Sequence, residues 1–171
     1  MTGIDRRTLL GGLAAAGGAI SAQTALAAPA MRNIDELRKE ADVACVYHCD
    51  FGDAARFSSM ISNINNHYSV YEADPFALQI FIVAHNQGVK FFLDSVEGTA
   101  WKDSPVPPEM FARIIDSAKN GLKVYLCDIT FKKQNISKDK VRPADFIAFV
   151  PSGVATVAAL QGKGFAYIKV G

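Results

Sequence analysis

From residue 42 onward, short and nearly continuous apolar runs alternate with longer segments whose apolar residues recur three and four positions apart. Residues 42–50, DVACVYHCD, are apolar or aromatic at almost every position, the pattern of a strand covered on both faces. Gly52 breaks the run, and Asp53 is placed to cap a helix with Phe57, Met60, Ile61, Ile64 and Tyr68 on one face. That helix ends near Asn65, Asn66 and His67 or one turn later. A second strand-like run, 76–84, follows Asp74 and Pro75 and closes on His85, Asn86, Gln87 and Gly88. Residues 89–96 are apolar but short, which fits a helical turn in a loop or a brief strand. After a proline-rich connector over 103–108, the positions Met110, Phe111, Ile114, Ile115 and Ala118 share a helical face that stops at Asn120 and Gly121. Residues 122–127 read as a third strand, a helix begins at Thr130, and 145–150 read as a fourth strand. Ser152 then caps a helix over 154–161 with Val154, Val157, Ala158 and Leu160 apolar, and 165–170 form the last strand. Alternation of strand and helix predicts an α/β fold, a three-layer sandwich with a mainly parallel sheet of about five strands and flavodoxin-like layering.

The segment ahead of this pattern is different. Asp5, Arg6 and Arg7 precede an uncharged stretch from 8 to 29 made mostly of Ala, Gly and Leu, with Ala25, Leu26 and Ala27 as a small-residue cleavage site. This is the form of a twin-arginine export signal. A membrane anchor is the rival reading, but the glycines together with Ser21, Gln23 and Thr24 dilute the segment. Residues 1–27 are therefore expected to be a signal peptide cut after Ala27, 28–41 a lead-in segment and 42–171 one α/β domain. Ile34, Leu37 and Ala41 give the lead-in a helical spacing, as a short surface helix or an ordered approach to the first strand. The expected location is the periplasm, with no stable membrane insertion after cleavage. The formal charge of +1 falls to zero once Asp5, Arg6 and Arg7 are removed. That balance gives no support to a nucleic-acid partner.

In open parallel sheets the working crevice lies at the carboxyl ends of the strands. This predicts one neighbourhood containing His48, Cys49 and Asp50, then His85 and Asn86, then Cys127 and Asp128, and finally Pro151, Ser152 and Gly153. The three cysteines are Cys45, Cys49 and Cys127, an odd number, so at least one thiol is free or pairs between chains. Cys45 and Cys49 lie about 13 Å apart along one extended strand, too far for a disulfide, whereas Cys127 and Cys49 at two strand ends can meet. Cys45 lies mid-strand and reads as core. His48 and His85 with Cys127 supply donors that zinc accepts, yet no close pair such as His-x-x-x-His supports a site. No metal and no cofactor are expected, and His85 is read as a polar wall of the pocket. Ser152 is not in a Gly-x-Ser-x-Gly elbow and reads as a helix cap. No glycine-rich phosphate loop follows any strand. Trp101 reads as a cover over the crevice or an oligomer contact.

The run Gly121-Leu122-Lys123-Val124-Tyr125-Leu126-Cys127, followed by Val150-Pro151-Ser152-Gly153-Val154, Leu160-Gln161 and Gly164-Phe165-Ala166-Tyr167-Ile168, resembles the DsrE/DsrF-like family of small α/β proteins. Val83-Ala84-His85 with Gly88-Val89 is similar to that family's second strand. The resemblance implies a protein that binds or relays sulfane sulfur as a persulfide on Cys127, as a sulfurtransferase or a sulfur carrier. His85, Asn86, Cys49, His48, Ser152 and Gly153 would surround it. It also implies a homo-oligomer, and a sulfur donor or acceptor protein or a small sulfur compound as partner. A sulfur-carrying cysteine must ionise, which a strand-to-helix turn, Lys132 and Lys133 favour and Asp128 opposes. The alternative is a non-catalytic periplasmic binding or assembly subunit in which Cys127 is a small buried apolar residue.

Overall fold

The computed structural model describes residues 29–171; the predicted signal peptide and its cleavage point lie outside the described residues. Five strands, β1 (Val43–Cys49), β2 (Leu78–Ala84), β3 (Lys123–Cys127), β4 (Ile147–Val150) and β5 (Ala166–Ile168), form one sheet in the order β4-β3-β2-β1-β5. Every pairing is parallel. Four helices connect them: α1 (Ala54–Val70), α2 (Pro108–Ala118), α3 (Asp128–Lys133) and α4 (Gly153–Gly162). The first four strands step in one direction across the sheet, and the last connection returns past all of them to place β5 beside β1. Crossovers between parallel strands are right-handed, so connections that run in opposite directions deposit their helices on opposite faces.

The burial pattern follows that division. Cys45, Tyr47 and Cys49 from β1, Ile80, Ile82 and Ala84 from β2, and Leu122, Val124 and Leu126 from the β3 segment share one core with α1 and α2. Phe57 of α1 is fully buried there, stacked on Phe91 with ring centroids 3.9 Å apart and edge-on to Phe92. The alternate residues Ala44, Val46, Phe81, Val83 and Tyr125 point the other way and pack with Val157, Leu160 and Phe165. Asp53 caps α1 by accepting a hydrogen bond from the Arg56 amide. Ser152 caps α4 in the same way, accepting from the Ala155 amide at 3.3 Å.

Several boundaries differ from the sequence expectation for local reasons. Of the two readings of residues 89–96, the helical turn holds and the strand does not: they open on the end of a 3-10 helix, Asn86–Phe92. Helix α3 starts at Asp128, two residues before Thr130. In α4 the buried face is Gly153, Thr156, Val157 and Leu160, while Val154 is exposed. The polar Thr156 is tolerated inside because its hydroxyl donates to the Ser152 carbonyl at 2.7 Å. The lead-in is ordered: the Arg32 amide donates to the Phe149 carbonyl, and the Phe149 amide to the Ala30 carbonyl, both at 2.8 Å. Leu37 is buried in the α4-side core, and Lys163 Nζ donates to the Ile34 and Leu37 carbonyls. Among the described residues, no helix is long and apolar enough to cross a membrane.

Candidate functional site

Side chains alternate between the faces of a sheet, so residue parity decides what meets at the strand ends. On β1 the face toward α4 carries Ala44 and Val46, and His48 continues that series. On β2 it carries Phe81 and Val83, and His85 follows. On β3 it carries Tyr125, and Cys127 follows. Ala84 pairs with both Cys49 and Leu126 in the ladder, so His85 stands level with Asp50 on one side and Cys127 on the other. His48, His85 and Cys127 therefore share the α4 face.

Cys49 does not join them. It belongs to the opposite core, is fully buried, and lies with its Sγ 4.0 Å from the Gly88 carbonyl. Strand β2 separates β1 from β3, and all three cysteines are free thiols. The expected ease of a Cys49–Cys127 disulfide is thus corrected: the sequence places both at strand ends, but on opposite faces of nonadjacent strands. Burial also pushes the Cys49 thiol strongly upward from its ordinary pKa, with a further upward push from Asp50.

The two histidines meet edge to edge. His48 Nε2 and His85 Nε2 are 2.6 Å apart, and His48 Nδ1 lies 3.1 Å from the Tyr167 hydroxyl on β5. At 2.6 Å one nitrogen carries the proton that the other accepts, because two facing lone pairs would repel. Burial lowers the pKa of both rings; the charge of Asp50 raises each, and His48 further lowers His85. The pair is held in its neutral form more firmly than a free imidazole. Asp50 approaches the same point: one donor atom from each of His48, Asp50 and His85 lies within 4.8 Å of the others.

Cys127 opens onto a separate cavity of about 400 Å³, lined by His85, Asn86, Ile129, Thr130, Lys133, Gln134, Ser152 and Val154. Its origin is topological. The helix after β3 sends Phe131 into the α1 and α2 core, whereas the helix after β4 packs on the other face, and the space between their first turns is left open. The Asn86 amide donates to Thr130 Oγ1 at 3.0 Å, tying the β2 loop to α3 across the floor. Gly153 lets α4 close down on the site: a Cβ there would sit 2.9 Å from His85 Cβ and 3.2 Å from Cys127 Cβ. Cys127 itself is 5% exposed, so only a ligand entering the cavity reaches its sulfur.

Asp128 is not the anionic neighbour that its position in the chain suggests. Its side chain is buried and forms ion pairs with Lys132 at 2.6 Å and Lys138 at 2.5 Å, and it does not line the cavity. Burial works to raise its pKa, but the two lysines outweigh that and hold it below the usual carboxylate value. Lys133 instead faces the cavity.

Of the residues the sequence singled out, Cys127, His85, Asn86 and Ser152 line one space, with Gly153 packed against it; His48 adjoins through His85, and Cys49 is elsewhere. Trp101 packs against the α1 and α2 core and is not among the cavity residues. Sequence reasoning missed Tyr167, Thr130 and the cavity role of Lys133. Tyr167 was recoverable, since β5 pairs with β1 in an order that the return connection dictates. Lys133 differs from Lys132 only by which side of one short helix it occupies.

The family model described as "DsrE/DsrF-like family" matches residues 16–170. No curated protein matches the chain. Among solved structures the fold is similar to "Structure of Protein of Unknown Function MTH1491 from Methanobacterium thermoautotrophicum", at 23% identity and a TM-score of 0.58, over 75% of this chain and 99% of that one.

Proposed function

The chain belongs to the DsrE/DsrF-like family, and from that premise we propose that it carries sulfane sulfur on Cys127. The observation that carries this reading is the position of the thiol: it ends an inner strand and forms part of the wall of a cavity of about 400 Å³ that also presents Lys133 and His85. The transfer balances without any outside oxidant. The Cys127 thiolate attacks the outer sulfur of a persulfide R–S–SH, the bond between the two donor sulfurs breaks, and R–SH leaves with the proton given up by Cys127. The product is Cys127–S–SH, and the reverse attack by an acceptor thiol discharges it. Lys133 supplies positive charge where the persulfide anion resides, and Asp128 does not counter it because its charge is already matched by Lys132 and Lys138.

The cavity suits a small sulfur compound or the thiol-bearing tip of a donor or acceptor protein. Assembly as a homo-oligomer and export by the twin-arginine route belong to the same proposal and rest on the family resemblance and on residues 1–27 of the sequence. The test is intact-mass spectrometry of the purified chain after treatment with glutathione persulfide. One added sulfur, reversed by dithiothreitol and lost in Cys127→Ser, is the expected result. A chain that takes up no sulfur while Cys127 resists alkylation would make the cysteine structural and leave a non-catalytic binding or assembly role.

A further inference from the structure

We propose that His48, Asp50 and His85 form a binding site for a divalent transition-metal ion of the zinc class, held by two imidazole nitrogens and one carboxylate oxygen. The three donors come from the ends of β1 and β2, adjacent inner strands of the sheet, and lie within 4.8 Å of one another. The mixture of two imidazoles and a carboxylate is one that zinc and its first-row neighbours accept. Cys127 is outside this group, so the site differs from the combination of His48, His85 and Cys127 that the sequence brings to mind.

The two Nε2 atoms lie 2.6 Å apart, a separation at which a single proton lies between them. A tetrahedral ion with metal–nitrogen bonds of about 2.0–2.1 Å needs its donors about 3.3 Å apart. The rings must therefore swing apart by about 0.7 Å as the ion replaces that proton, which is released to solvent. A carboxylate oxygen of Asp50, within 4.8 Å of a nitrogen of each histidine, completes the set.

Tyr167 supplies an independent feature. Its hydroxyl lies 3.1 Å from His48 Nδ1; when it accepts an Nδ1–H, Nε2 is the unprotonated nitrogen available for ligation. An outer partner on the far nitrogen of a histidine is the usual companion of metal ligation. Three protein ligands leave a coordination position open, as in sites that bind an exchangeable ligand rather than purely structural ones.

The experiment is equilibrium dialysis of the untagged full-length chain against Zn²⁺, with Co²⁺ absorption as a report on coordination. One ion per chain is expected. Asp50→Asn and His85→Gln should each weaken binding tenfold or more, Tyr167→Phe about tenfold with the stoichiometry kept, and Cys127→Ser not at all. Urea unfolding in the presence of a chelator confirms that Asp50→Asn, which is nearly isosteric, leaves the fold intact. Absence of a saturable site, or one that survives Asp50→Asn and disappears in Cys127→Ser, overturns the assignment. Because Cys127→Ser abolishes sulfur uptake but keeps the ion, the two readings fail separately.

Discussion

Replacing Gly153 by alanine tests how closely α4 seals the strand ends. The new Cβ would meet His85 Cβ at 2.9 Å, His85 Cδ2 at 3.1 Å and Cys127 Cβ at 3.2 Å. Two of these are atoms fixed directly to strand-end backbone, so neither can rotate away, and α4 itself must shift. Overpacking of this kind costs about 1–3 kcal/mol. Against it stands the loss of glycine's freedom in the unfolded chain, which favours alanine by about 0.4–1 kcal/mol. The net expectation is destabilisation by about 1–2 kcal/mol. For a chain of this size that lowers the melting temperature by about 2–8 °C. Gly162, at the other end of the same helix, is the internal control: a Cβ there meets nothing within 4 Å. Gly162→Ala should therefore stabilise by about 0.4–1 kcal/mol through the unfolded state alone. Urea unfolding of both variants, with equal slopes, separates them. In parallel, the rate at which iodoacetamide alkylates Cys127 should change in Gly153→Ala and stay constant in Gly162→Ala. If Gly153→Ala proves as stable as Gly162→Ala and alkylates normally, α4 does not close on His85 and Cys127 as described.

Three further outcomes follow from the same geometry. The Asp128 carboxyl titrates below its unfolded value, so the unfolded chain binds more protons as the pH drops; the stability it contributes is present above about pH 4 and is lost as the pH falls through the folded value. Asp128→Asn should flatten the acid limb of a stability-against-pH curve, and an unchanged limb would dissociate Lys132 and Lys138 from it. Native-state alkylation mapped by peptide mass should modify Cys127 before Cys49, which is fully buried and far less acidic than an ordinary thiol; labelling in the reverse order would contradict the facing of β1. Phe57→Ala should cost about 3–5 kcal/mol in chemical denaturation, since the ring is fully buried between Phe91 and Phe92, and a loss under about 1 kcal/mol would mean that this core collapses to fill the space.

The layering was legible because each run of the chain repeats the same alternation, and β1, β2 and β3 each end where continuous apolar sequence stops. What the runs do not reveal is which face each terminal residue takes. His48 and Cys49 are neighbours in sequence and face opposite sides of the sheet, a distinction fixed only when Val46 is seen against α4 and Tyr47 against α1. The pattern in α4 misled for a related reason. Val154 is more apolar than Thr156, but Ser152 supplies the acceptor that lets Thr156 go inside, and the helical period then turns Val154 outward. Asp128 shows the limit most clearly. Its place next to Cys127 suggests a charge against the thiol, yet Lys138, ten residues on and in a separate 3-10 turn, draws that charge to the other side. Charge placement at this site depends on such distant pairings, which no short window of sequence contains.

Residues 30–32 lie along β4 like a fragment of a further strand, with Met31 bridged in parallel to Phe149. They give the backbone of an otherwise open edge its partners, and an unpaired edge is a template for association with another chain. This sets how far the amino terminus can be shortened. A cut after Ala27 leaves the edge covered, whereas one beyond Arg32 strips it while leaving every residue of the candidate site in place. Trimming for crystallisation, fusion to a reporter, or proteolysis in a cell would then yield a chain that keeps its strand-end residues and gains a tendency to aggregate through β4.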